Sequence, residues 1–168
     1  MDLVISDQGR SWNLQDDFPD FKGADKGLTG NVGRVAWSPD GQSIAFFASP
    51  DAKGKAGSRR FSVEYKLYIM DPEELKPSSV FDKVYFPFVV RWSPDSKFIA
   101  FIGEYGGQNN GGVWLYSLEN HSVVNVAKGK FQDIIWSSDG LNIIAIECAD
   151  NLYCSKIEEY DLSKIIKP

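Results

Sequence analysis

A threefold internal repeat, short runs rich in β-branched and aromatic residues, and Pro-Asp turns joining those runs predict an all-β chain. The repeats read as four-stranded antiparallel meanders stacked like the blades of a propeller, about three and a half blades in all.

Val35-Ala36-Trp37-Ser38-Pro39-Asp40-Gly41 precedes the apolar run Ser43-Ile44-Ala45-Phe46-Phe47. Val90-Arg91-Trp92-Ser93-Pro94-Asp95-Ser96 precedes Phe98-Ile99-Ala100-Phe101-Ile102. Ile134-Ile135-Trp136-Ser137-Ser138-Asp139-Gly140 precedes Asn142-Ile143-Ile144-Ala145-Ile146. Each copy is a strand, a tight turn and a second strand. Pro presets φ near −65°, Asp tolerates the bridge region, and Gly supplies the positive φ of the return. Ser96 stands where Gly is expected and Ser138 where Pro is expected, so those turns keep their Asp with poorer chemistry elsewhere. The near-continuous apolar runs suit strands buried on both faces between stacked sheets.

Two more strands complete each unit. They are Lys66–Met70 and Ser79–Phe81 in the first, Val113–Ser117 and Val123–Ala127 in the second, and Leu152–Ile157 and Ser163–Ile166 in the third. The blades span 33–83, 86–128 and 131–168 within a single domain. Before them, Leu3–Ser6 and Trp12–Leu14 resemble an isolated hairpin of the outer two strands over 1–14. Residues 15–32 read as an irregular connection. Closed propellers typically have 4–8 blades. A count of three and a half therefore predicts a partial ring, completed by a homodimer or by the remainder of a longer propeller.

The composition is that of a soluble globular chain, with 43% apolar and 24% charged residues among 168. A net charge of −5 argues against a general nucleic-acid binder or anionic-membrane binder. No run approaches a membrane span, and the N-terminus lacks the basic and apolar regions of a signal peptide. The compartment stays open.

The string Trp-Ser-Pro-Asp-Gly followed by Ile-Ala-Phe resembles the repeat of TolB-like, WD-like β-propellers, over roughly residues 33–168. Similar repeats form the propeller domains of prolyl-oligopeptidase and dipeptidyl-peptidase-type proteins. The resemblance implies radiating blades used as a protein-binding platform, as a gate over a separate hydrolase domain, or as a small-ligand site on the axis. Fold analogy alone does not choose among them.

The recurrence of Trp37, Trp92 and Trp136, with Asp40, Asp95 and Asp139, points to packing between blades rather than a carbohydrate-binding ladder. Binding residues are expected on the loops between the second and third strands, which share one end of the blades. The first, about Ser49–Ser62, carries Lys53, Lys55, Arg59 and Arg60. The second, Gly103–Gly112, carries Tyr105, Gln108, Asn109 and Asn110. Both exceed ordinary hairpin length, and long loops on a rigid scaffold tend to hold function. The alternative is a pair of solvated insertions. The basic loop suits an acidic partner and is not a phosphate-binding loop, for Gly-x-x-x-x-Gly-Lys-Ser/Thr is absent.

Cys148 and Cys154 flank a turn near Asn151. They read either as a cross-strand disulfide in an oxidising compartment or as two buried thiols in the cytosol. No companion His or Cys pair suggests metal. Catalytic residues are lacking. The single histidine, His121, sits in a turn; Gly41-Gln42-Ser43-Ile44-Ala45 lacks the last glycine of a nucleophile elbow; Asp16-Asp17 and Glu158-Glu159 read as solvated surface. The expectation is a non-catalytic scaffold for protein–protein interaction, with no cofactor. The alternative is the N-terminal propeller of an oligopeptidase-type serine hydrolase whose catalytic domain lies outside this chain.

Overall fold

A computed structural model of the chain describes residues 35–49, 64–74, 76–107, 109–149 and 153–166. The predicted hairpin over 1–14 and the connection over 15–32 lie outside them. Ten strands are present among the described residues: β1 Val35–Trp37, β2 Ile44–Ala48, β3 Glu64–Asp71, β4 Lys76–Trp92, β5 Phe98–Tyr105, β6 Gly111–Ser117, β7 Val123–Lys128, β8 Lys130–Trp136, β9 Asn142–Cys148 and β10 Cys154–Asp161. No α-helix occurs among the described residues. Every pairing is antiparallel between neighbours in sequence, as hairpin-connected meanders require.

One strand belongs to two blades. The first part of β4 pairs with β3, from Asp71↔Lys76 to Glu64↔Tyr85. Its last part pairs with β5, from Val84↔Tyr105 to Trp92↔Ile99. The short strand expected at Ser79–Phe81 and the inner strand of the next blade are thus one bent ribbon of 17 residues. The bend falls at the expected boundary near 83–86, where Lys83 (φ 63) and Phe86 (φ 50) are left-handed and the register shifts between Tyr85 and Val89. A bulge of this kind twists the ribbon from one blade into the next. Blades one and two therefore form a continuous seven-stranded sheet, while β10-β9-β8 is a separate three-stranded one.

The third blade departs from expectation at its end. Residues 163–165 form a turn, not a fourth strand. Asp161 Oδ1 accepts the Ser163 N–H at 2.8 Å, which turns the chain as soon as β10 ends. The N–H groups of Ile165 and Ile166 then both reach the carbonyl of Leu162 at 2.8 Å, so they are not offered to a neighbouring strand. Leu162 is buried against Val89, Ile134 and Ile143 and anchors the turn to the core.

Alternation along the strands makes the second blade two-faced. Val90, Trp92, Ile99, Phe101, Trp114 and Tyr116 pack with Ala45, Phe47 and Leu67 of the first blade. Val89, Ala100, Ile102, Val113 and Leu115 pack with Ile134, Ile143 and Ala145 of the third. Two apolar interfaces result, and each fully buried aliphatic or aromatic side chain contributes about 1.5–3 kcal/mol. Trp92 closes the first interface by donating its indole N–H to the carbonyl of Ala36 at 2.9 Å. Trp136 packs into the second, but its buried Nε1 meets no acceptor. Trp37 pairs with Ile44, on the face turned away from the second blade, and stays 44% exposed. On the corresponding outer face of the third blade, Ile135 and Ile157 are exposed, Ile157 at 73%.

The repeated turn is one hydrogen-bond device built three times. Ser38, Ser93 and Ser137 donate Oγ–H to Asp40, Asp95 and Asp139 at 2.5, 2.6 and 2.6 Å. Those carboxylates accept the N–H of Gln42, Lys97 and Leu141 at 3.0, 3.2 and 2.9 Å. The same serine oxygens accept the N–H of Ser43, Phe98 and Asn142, each at 2.9 Å. Gly41 and Gly140 take φ +73, and Ser96 is held at φ 60 in the same role. Its hydroxyl accepts the Asp40 N–H at 3.2 Å, tying the turn of the first blade to that of the second.

Candidate partner-binding face

Backbone hydrogen bonds sort the connections to the two ends of the blades. At one end the Leu118 N–H reaches the Lys97 carbonyl, and the Leu162 N–H reaches that of Leu141. At the other, Gly106 N–H reaches the Lys83 carbonyl at 3.0 Å, and Gly129 N–H reaches that of Gly111 at 3.1 Å. This second end gathers the loop between β5 and β6 with the links between blades. It is the end on which binding residues were expected.

Lys53, Lys55, Arg59, Arg60 and Gln108 lie outside the described residues. The β5–β6 loop is shorter than its sequence suggests, because Gly103↔Gly112 and Glu104↔Gly111 are still ladder pairs. Only 106–110 connect the strands, an ordinary hairpin length. The glycines deceived the reading for a steric reason. A Cβ on Gly112 would stand 2.3 Å from the Ala127 carbonyl oxygen, so the glycine permits β7 to lie close instead of marking a loop.

The loop also uses up its own polar groups. Glu104 accepts the Asn109 N–H at 2.8 Å, and Asn110 donates its amide to the Tyr105 carbonyl at 2.7 Å. Tyr105 is a packing residue: its ring meets Phe81 at 5.6 Å and Trp114 at 5.2 Å between centroids. Asn109 alone of these is exposed.

Sequence reasoning missed the neighbouring feature. Phe86-Pro87-Phe88 fills the bulge in β4, with Phe86 58% and Phe88 47% exposed. Positive φ is unusual for a bulky residue and is kept only where surrounding structure enforces it. Here Gly103 lies beneath the link, and a Cβ on it would come within 3.3 Å of the Tyr85 oxygen and 3.4 Å of the Pro87 Cα. The bend thus turns two large aromatics outward that would normally join a core. Beside them, Tyr85 donates its hydroxyl to Glu64 at 3.0 Å, a bond to a carboxylate that raises the phenol's pKa. A Pro flanked by Phe on each side at a blade boundary was the available signal.

The remaining candidates are dispersed. Ser43 immediately precedes β2 in the first blade, while His121 is exposed in the β6–β7 turn of the second, its Nδ1 sharing a hydrogen bond with the Tyr116 hydroxyl at 2.9 Å. Glu158 bonds Lys156 and accepts the Tyr160 hydroxyl at 2.6 Å, and these contacts lower its pKa. Glu159 alternates to the opposite face, beside Ile144. Burial foremost, then the bond to Glu158, raises the pKa of Tyr160. Cys148 and Cys154 stand opposite one another at the start of the β9–β10 ladder and are joined by a disulfide, with Cα atoms 3.8 Å apart. Neither is a buried thiol; both are partly exposed.

A family model described as eukaryotic translation initiation factor eIF2A matches residues 29–167. No curated protein matches. Among solved structures, TolB from Acinetobacter baumannii is similar at TM-score 0.51 and 25% identity, over 80% of this chain and 29% of TolB. The uncomplexed acylaminoacyl peptidase from Pyrococcus horikoshii is similar at 0.51 and 18%, over 72% of this chain and 18% of the peptidase. The β-propeller domain of the trilobed protease from Pyrococcus furiosus is similar at 0.50 and 15%, over 77% and 41%. The fold is that of β-propeller blades, and the chain spans less than half the length of each of these proteins.

Proposed function

Because the chain belongs to the eIF2A family of eukaryotic translation initiation factors, we propose that it is a non-catalytic propeller scaffold of translation initiation that docks a protein partner on the blade end bearing Phe86 and Phe88. The observation that carries this reading is the pair of exposed phenylalanines, Phe86 and Phe88, at a bend where Phe86 itself is left-handed. Protein interfaces concentrate their energy in a few aromatic anchors, and a rigid bend presents such anchors with little ordering cost. The hydrogen-bonded β5–β6 hairpin stiffens one side of that surface. The family match over 29–167 favours this reading over a propeller that gates a hydrolase.

The test is co-sedimentation of the full chain with small ribosomal subunits carrying initiation components. Replacing Phe86 and Phe88 together by Asp, with the fold verified by circular dichroism, should weaken binding at least thirtyfold, the loss of a hot spot of about 2 kcal/mol. Wild-type chain that does not sediment would refute a role in initiation. Equal sedimentation of the folded variant would exclude this face, and a separate deletion of 53–60 would then examine the basic loop.

A further inference from the structure

We propose that Cys148 and Cys154 form a reversible redox site whose chemical partner is a small disulfide oxidant of the glutathione class. It rests on the proposed function only for its compartment: protein synthesis proceeds in the cytosol, where glutathione keeps ordinary structural thiols reduced and the disulfides that do occur are mostly transient or redox-sensing. The remaining support is geometric.

The two residues are directly opposed, the first pair of the β10–β9 ladder. The pairs from Lys156↔Glu147 through Asp161↔Asn142 hold the strands together regardless of the sulfurs' state. On the other side of the cysteine bridge, the Ala149 N–H donates to the Tyr153 carbonyl at 3.0 Å. Opening the disulfide therefore leaves the two thiols as register partners on strands that stay paired, so closing it needs only a local approach of the two backbones, whose Cα atoms stand 3.8 Å apart in the bridged state. Partial exposure of both residues admits a small thiol or disulfide, which exchange needs.

The charges around the pair are asymmetric. Lys130 is the cross-strand neighbour of Cys148 on β8, and a cation in that position favours the thiolate. Lys156, near Cys154, has its charge taken up by Glu147 and Glu158. Cys148 is accordingly the first nucleophile. Its thiolate attacks one sulfur of glutathione disulfide, a protein–glutathione bond forms, and one glutathione thiolate leaves. The Cys154 thiolate then attacks Cys148 sulfur and expels the second glutathione. Two electrons pass to the oxidant, and the two thiol protons end on the two released glutathiones. Reduced glutathione runs the steps backward.

The test uses the full chain equilibrated in glutathione buffers, from millimolar reduced glutathione with a trace of the disulfide to an equal mixture. Samples are acid-quenched, alkylated and weighed by mass spectrometry. Both cysteines should pass together from alkylated to protected within that range, and Lys130→Gln should slow oxidation several-fold while leaving the end point unchanged. Protection that persists at the reducing end would make the bridge a permanent staple and overturn the proposal. So would alkylation that persists at the oxidising end, or a reaction that halts at a glutathione adduct. Each outcome is independent of ribosomal binding, so failure here and failure of the initiation reading are told apart.

Discussion

Replacing Ser93 by Ala isolates the device on which the repeated turn depends. Ser93 is 1% exposed, its Oγ gives a hydrogen bond to Asp95 at 2.6 Å, and it accepts one from the Phe98 N–H at 2.9 Å. Asp95 is exposed and recovers a bond from water, so that half of the loss is about 0.5–1 kcal/mol. The Phe98 N–H, part-buried at the start of β5, loses its acceptor, which costs about 1–2 kcal/mol more. The sum, about 1.5–3 kcal/mol, lowers the thermal midpoint by about 3–12 °C for a chain of this size. Ser137 makes the same bonds but is partly exposed, so Ser137→Ala should cost about 1 kcal/mol. Urea titration monitored by Trp fluorescence measures both, with the slope unchanged and the midpoint moved. Equal losses at the two sites, or a Ser93→Ala loss below about 0.5 kcal/mol, would refute the argument that burial of this serine decides its worth.

Two further outcomes follow from the same interfaces and turns. Trp92→Phe removes ring volume and the bond to the Ala36 carbonyl, whereas Trp136→Phe removes volume and an indole N–H that has no acceptor; in thermal melts the first should lose about 1 kcal/mol more than the second. Asp40 is held below its ordinary pKa by the Ser38 hydroxyl and then the Gln42 N–H, and Asp139 likewise by Ser137 and Leu141. A folded-state pKa depressed below the unfolded value contributes stability that is present above the unfolded pKa, near 3.8 for these groups, and is lost as pH falls through the folded one. The melting midpoint of wild type should therefore fall below about pH 4 more steeply than that of the Asp40→Asn, Asp139→Asn double variant, and parallel curves from pH 6 to 2 would count against this assignment.

Much of the architecture was legible because propeller blades repeat their local chemistry. The Trp-Ser-x-Asp string specifies a turn with bonds spanning at most five residues, so it survives Ser96 and Ser138 intact. Tyr105 and the glycines of 103–112 misled for the opposite reason. Whether a glycine marks a mobile loop or a close strand depends on what lies across from it, and for Gly112 that is the Ala127 carbonyl. Phe86 and Phe88 escaped notice because an aromatic pair in an apolar run reads as core. Only the bulge opposite Gly103 reverses their direction.

The amino-acid order by itself determined strand periodicity, the turn chemistry and the class of fold, since these rest on contacts between near neighbours that any folded context preserves. Tertiary structure alone decided that β4 serves two blades, that the third blade ends in a turn around Leu162, and which aromatics face outward. Each of these depends on a residue distant in sequence occupying or vacating one small space, and no local pattern encodes that occupancy.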